Sequence, residues 1–237
     1  MQKIRSFLFS LTFLIWSMLC SVLLSFVLLL PRAWARPVIR VVYFRGVHLW
    51  ERLILGLNYQ VTGWENLPKS GAYIIAAKHQ SAYETLKIHP MFPNASIVIK
   101  QELSKIPFWG ALCVKVGGIP IDRNDGQQSM KKIVEALQPV IKNEEPLLIY
   151  PQGTRIPYGA TAAEYPYKPG VALMAKAAGL PIIPMRCDSG LYWPKKGWTN
   201  KRGGVVKFEI RPALTGTTAK ELMAQLEVEL EKAPSEA

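Results

Sequence analysis

From Phe7 to Leu30 the chain runs for twenty-four residues without one charged side chain. Coiled as a helix this segment is about 36 Å long, more than the roughly 30 Å hydrocarbon core of a bilayer. It is therefore predicted to lie in a membrane. Lys3, Arg5 and the sequence Ala33-Trp34-Ala35 have the look of a cleavable signal, but the apolar run exceeds a signal h-region of about 7–15 residues. Arg32, Arg36, Arg40 and Arg45 outnumber Lys3 and Arg5. The positive-inside rule then places the downstream chain on the cytoplasmic side of the inner membrane. Residues 38–57 mix apolar side chains with Arg40, Arg45 and Arg52, a pattern suited to an interfacial helix. Either one crossing followed by that helix, or a hairpin dipping into one leaflet, satisfies these constraints. Residues 1–58 are assigned to this membrane-embedded part.

Residues 59–237 form the other part. Short β-rich apolar runs alternate there with helix-period stretches, which predicts an α/β fold: a central mostly parallel or mixed sheet flanked by helices. The expected strands are Tyr73–Ala77, Ser96–Ile99, Gly118–Ile121, Leu147–Tyr150, Pro181–Arg186 and Val205–Ile210. The expected helices are Ala82–His89, Phe108–Lys115, Gln127–Lys142, Gly170–Ala178 and Ala219–Lys232, bounded by Pro, Gly, Ser or Asp signals. A net charge of +12 beside 49% hydrophobic residues fits an anionic lipid surface. No nucleic-acid recognition motif accompanies that charge. Cys20, Cys113 and Cys187 lack metal-ligand spacing, so no metal is expected and the compartment reads as reducing.

Four motifs carry chemistry. His79-Gln80-Ser81-Ala82-Tyr83-Glu84 falls where a strand gives way to a helix. Histidine accepts a proton near neutral pH, and a carboxylate beside it fixes its tautomer. Five residues on a continuous helix would stand about 140° apart, so a His79–Glu84 pair needs the turn between strand and helix. The same residues read equally as a Ser-x-x-Glu capping box around Ser81. Gly117 to Arg123 is a short apolar strand ending in an arginine, whose planar fork suits a phosphate. Tyr150-Pro151-Gln152-Gly153-Thr154-Arg155 follows a buried strand. Gly153 there permits close backbone approach, and Thr154 and Arg155 supply donors. Gly179 to Pro184 is apolar and suits a wall. Near the C-terminal end, Tyr192, Trp193, Lys195, Lys196, Trp198, Lys201 and Arg202 form an aromatic and basic cluster fit for a headgroup layer.

Taken in order over roughly residues 60–215, these blocks resemble the glycerolipid acyltransferase family, in particular bacterial 1-acylglycerol-3-phosphate acyltransferases. The resemblance implies His79 as general base, Glu84 as its carboxylate partner, and Arg123 and Arg155 as ligands of the acceptor's phosphate. Gln152, Gly153 and Thr154 would line the site, with Lys105 adding positive charge. Glu84 stands where the family usually has Asp, and Gln152 where it usually has Glu. The implied reaction moves an acyl group from acyl-CoA or acyl carrier protein to a lysophospholipid in the membrane, with lysophosphatidic acid leading, and needs no cofactor. Another lysolipid, or silent lipid binding, is the alternative. A lipid hydrolase would want a Gly-x-Ser-x-Gly elbow, which the chain lacks.

Overall fold

The computed structural model describes residues 1–121, 134–135 and 137–235. Its frame is a seven-stranded sheet: β1 (Leu57–Thr62), β2 (Tyr73–Ala77), β3 (Ser96–Lys100), β4 (Gly118–Ile121), β5 (Pro146–Ile149), β6 (Ile182–Cys187) and β7 (Gly204–Ile210), ordered β1-β7-β6-β2-β5-β3-β4. All neighbours run parallel except β6 and β7. The expected mixed α/β sheet is thus present. Strand β1 is the addition: the interfacial helix expected over residues 38–57 stops at Gly56, whose left-handed backbone (φ 70°) caps it, and the strand begins at Leu57. The C-terminal part of the helix expected over Gln127–Lys142 is helical at 134–135 and 137–142, and the rest lies outside the described residues.

Alternation along the strands builds two apolar layers. Ile75, Ala77, Leu148 and Met185 face one core, and Ile74, Ala76, Leu147 and Ile182 face the other. The second core is covered by Gly170–Ala178 and Ala219–Glu231. The first is covered by helix α4 (Tyr83–Met91) and by the N-terminal helices.

Helix α1 spans Gln2–Leu23, starting earlier and ending earlier than the uncharged run, whose remainder is a 3-10 turn at Ser25–Leu29. The chain then reverses into α2 (Arg32–Ile39) and α3 (Arg45–Trp50), joined and extended to Leu55 by two π-turns. The two arms are antiparallel: Trp16 packs edge-on to Trp50, Ser17 bonds the Tyr43 hydroxyl at 3.1 Å, and Arg5 donates to the carbonyl of Ile54. Gly46 permits the crossing, since a Cβ there would come within 2.5 Å of the Trp16 ring.

This hairpin lies along the domain rather than projecting from it. Phe9 and Phe13 pack edge-on to Trp193, and the Ser6 and Ser10 hydroxyls donate to the carbonyl of Trp198. Arg36, read from sequence as a membrane-flanking charge, is buried and bidentate to Glu145, at 2.6 and 3.0 Å. At the other end Lys87 of α4 pairs with Glu51, both fully buried. Away from the domain, Leu8, Leu11, Ile15, Met18, Leu19 and Val22 are exposed.

Candidate active site

Strands β2, β3, β4, β5 and β6 are mutually parallel, so the segments that follow them emerge at one edge of the sheet. Loops beyond the carboxyl ends of parallel strands are where α/β proteins place ligands. His79 follows β2, Gln152 to Arg155 follow β5, Lys105 follows β3, and Ser189 follows β6. Strand β4 ends at Ile121 on the same edge, while Arg123 lies outside the described residues.

The turn between β2 and α4 folds Glu84 back under His79. Glu84 is fully buried. Its Oε1 accepts the backbone amides of Gln80 (2.6 Å) and Ser81 (2.8 Å) and stands 3.0 Å from His79 Nδ1. Two readings left open by the sequence are therefore both realised, as this carboxylate caps the turn and holds the histidine. Glu84, one methylene longer than Asp, reaches all three of these donors across the turn. The Ser81 hydroxyl accepts from the amide of Tyr83, not from that of Glu84, so the box is closed from one side only. Because Oε1 already accepts two amides, Nδ1 is the donor to it. The hydrogen is thereby fixed on Nδ1, and Nε2 is left as the basic nitrogen. That is the tautomer a proton acceptor requires.

Three residues complete the support, and sequence reasoning gave none of them this role. Tyr150 stacks on the His79 ring with centroids 4.0 Å apart. Its buried hydroxyl shares a 2.8 Å hydrogen bond with Thr85. Burial, with the Glu84 charge adding to it, pushes the Tyr150 phenol well above its ordinary value, so it stays neutral. Ser189 donates to Glu84 Oε2 at 2.8 Å. The only signal for Ser189 was its place just after the apolar fourth block. Cys187, nearby, is pushed up by burial, so its thiol stays protonated.

The third block forms a tight turn, with Gly153 at φ 72° and its amide bonded to the Tyr150 carbonyl. The Ile156 amide donates to the His79 carbonyl at 2.7 Å, tying this turn to the first block. Thr154 is exposed and Arg155 half-buried. Gln152 is buried, and its side-chain amide has no hydrogen-bond partner among the described residues. The Tyr167 hydroxyl, which also approaches Gln152, donates to Glu231 instead. Lys105 is exposed at the end of a short helix, and among the described residues no hydrogen bond or ion pair joins it to the other site residues.

The headgroup cluster divides. Trp193 and Lys201 are buried against α1, whereas Lys195, Lys196, Trp198 and Arg202 are exposed. A separate apolar cavity of about 120 Å³ lies between the hairpin and the sheet, lined by Leu24, Ile39, Phe44, Leu86 and Leu112 and reaching Thr85. His89 also borders it. Burial and the nearby arginines Arg36, Arg32 and Arg40 hold this imidazole down at about 3, hence neutral.

An acyltransferase family model matches residues 58–188, the span from β1 to the residue before Ser189. A 1-acyl-sn-glycerol-3-phosphate acyltransferase of Pseudomonas aeruginosa is 36% identical over 163 residues, covering 69% of this chain and 62% of that protein. The enzyme of the same description from Saccharomyces cerevisiae is 31% identical over 177 residues, covering 73% of this chain and 57% of its own length. The chain thus matches about three-fifths of the length of these relatives. The crystal structure of the 1-acyl-sn-glycerophosphate (LPA) acyltransferase PlsC from Thermotoga maritima superposes with a TM-score of 0.77 at 24% identity, over 98% of this chain and 95% of that one.

Proposed function

The chain belongs to the acyltransferase family, and from that premise we propose that it transfers a fatty acyl group from a thioester to the sn-2 hydroxyl of 1-acylglycerol-3-phosphate, giving phosphatidic acid. The observation that carries this reading is the His79–Glu84 pair, with Nδ1 occupied by the carboxylate and Nε2 uncommitted among the described residues. In the proposed reaction Nε2 takes the hydroxyl proton as the oxygen attacks the thioester carbonyl. The resulting tetrahedral intermediate collapses to ester, and the proton passes to the departing thiolate. Glu84 stabilises the imidazolium between these steps. Arg155 and Arg123 hold the acceptor's phosphate, Lys105 adds charge at the rim, and Gln152, Gly153 and Thr154 shape the floor. Holding the phosphate orients the hydroxyl, rather than water, toward His79.

The apolar cavity beneath Thr85 suits methylene groups and supports an acyl chain lying under the hairpin. Residues 1–58 serve as the membrane seat. Their exposed apolar face and their packing along the domain support an in-plane hairpin in the cytoplasmic leaflet of the inner membrane, through which the lysolipid enters sideways. Gln152, a neutral amide where the family's carboxylate stands, favours a second reading in which another lysolipid is the acceptor.

The test is transfer of labelled acyl groups from acyl-CoA and from acyl carrier protein to lysophosphatidic acid. The expected result is turnover by wild type that falls by about 10²-fold or more in His79→Ala. No transfer from either donor by folded protein would reject this acceptor.

A further inference from the structure

A recess of about 710 Å³, sharing no lining residue with the apolar cavity, opens to solvent. Its buried end is the Gln80 side chain, next in sequence to His79, fixed by a bond to the Cys187 carbonyl and another from the Gly190 amide. Gly190 keeps that end open: a Cβ there would come within 3.0 Å of both Gln80 and Tyr158. Its exposed rim carries Lys195, Lys196 and Arg202. Among the described residues none of these three pairs with a carboxylate. Lys195 donates to the Arg155 carbonyl, and Arg202 lies over the Tyr192 ring. The walls between mix Pro157, Leu191 and Pro194 with Asn200.

We propose that this recess binds the phosphorylated pantetheine arm of the acyl donor, with Lys195, Lys196 and Arg202 facing its phosphate and the arm running inward past Gln80 to present the thioester to His79. The inference rests on the acyl-transfer reading and adds the donor's place to it. Three cations without counter-ions among the described residues, at the mouth of one recess, form a site for an anion, and a point charge or a guanidinium each suits a phosphate. The volume falls within the roughly 300–1,000 Å³ usual for small-ligand sites. A pantetheine arm alternates amides with short apolar groups, as these walls do. A lipid tail matches instead the apolar cavity lined by the hairpin. The assignment also gives the acyl chain and the carrier's arm separate places, because the two cavities share no lining residue. It accounts for the cluster at 192–202 splitting in two, since Trp193 and Lys201 anchor α1 and the remaining cations rim the recess.

The phosphate is common to acyl-CoA and acyl carrier protein, so the experiment uses both, with acyl-pantetheine as the donor lacking phosphate. The full chain is compared with the Lys196→Gln/Arg202→Gln variant. Expected is a fall of about tenfold or more in kcat/KM for the phosphorylated donors, with acyl-pantetheine and the KM for lysophosphatidic acid unchanged. A fall with both donors assigns the contact to the shared phosphate. A fall with acyl-CoA alone assigns it to the nucleotide's phosphates, and one with acyl carrier protein alone to that protein's acidic surface; either would overturn the pantetheine assignment. Unchanged donor kinetics with a raised KM for lysophosphatidic acid, or with weakened binding to anionic vesicles, would overturn it too. Equilibrium binding of 4′-phosphopantetheine, which lacks the nucleotide, to both proteins reads the site without turnover. Binding that weakens in the variant supports the recess even if lysophosphatidic acid proves the wrong acceptor, and equal binding overturns it.

Discussion

Ser189 and Glu84 stand 105 positions apart, yet the Ser189 hydroxyl donates to Glu84 Oε2 at 2.8 Å. The other oxygen serves His79 and the amides of Gln80 and Ser81. Every donor to this buried carboxylate is thus set by the ends of two adjacent parallel strands, β2 and β6. The orientation of His79 follows from the sheet register rather than from the local turn alone.

Ser189→Ala removes that donor and leaves one oxygen of a buried carboxylate without a partner, an omission that costs about 1–3 kcal/mol. Because Glu84 positions His79, kcat should fall by about fivefold to tenfold with KM for both substrates little changed. Steady-state kinetics and a melting curve check this. Unaltered kcat beside a lowered Tm would restrict Ser189 to a structural role.

Gly46→Ala forces a methyl group into the Trp16 ring, which a Cβ would approach to 2.5 Å. Overpacking of this kind costs about 1–3 kcal/mol. The Tm of the detergent-solubilised protein should drop, and the double variant Gly46→Ala/Trp16→Leu should recover part of the loss. No recovery would show that the strain is not in that contact.

Arg36→Met leaves Glu145 buried without its bidentate partner. Breaking a buried pair from one side costs about 3–5 kcal/mol. Replacing both residues with methionine should be markedly less harmful than replacing one, as chemical denaturation of the three variants would reveal.

His89 gives a pH dependence of definite sign. Its imidazole is held at about 3 when folded, chiefly by burial and then by Arg36, Arg32 and Arg40, against an ordinary value of 6.5. The unfolded chain therefore takes up this proton first. The stability associated with a neutral His89 is complete above pH 6.5 and is lost as pH falls from there toward 3, by roughly 1.4 kcal/mol per pH unit. His89→Phe should flatten the decline of Tm between pH 6.5 and 4.5. An unchanged slope would assign the acid sensitivity to other groups.

Periodicity and order, both local properties of the chain, determined most of the frame. The apolar runs at Tyr73–Ala77 and Gly118–Ile121 are strands as read, and Gly170–Ala178 is the helix that its flanking Pro and Gly announce. The four blocks pointed to the acyltransferase family because their order needs no coordinates. Strand β1 is missed when the apolar run is read straight through Gly56, the residue that caps the helix before it. The fate of Arg36 was not legible, because only the approach of Glu145 turns it from a flanking charge into a buried pair. Ser189, Tyr150 and the recess at Gly190 likewise exist only through contacts between distant segments. Sequence spacing does not report such contacts, because the sheet's pairing order, β6 beside β2 beside β5, decides which strand ends meet.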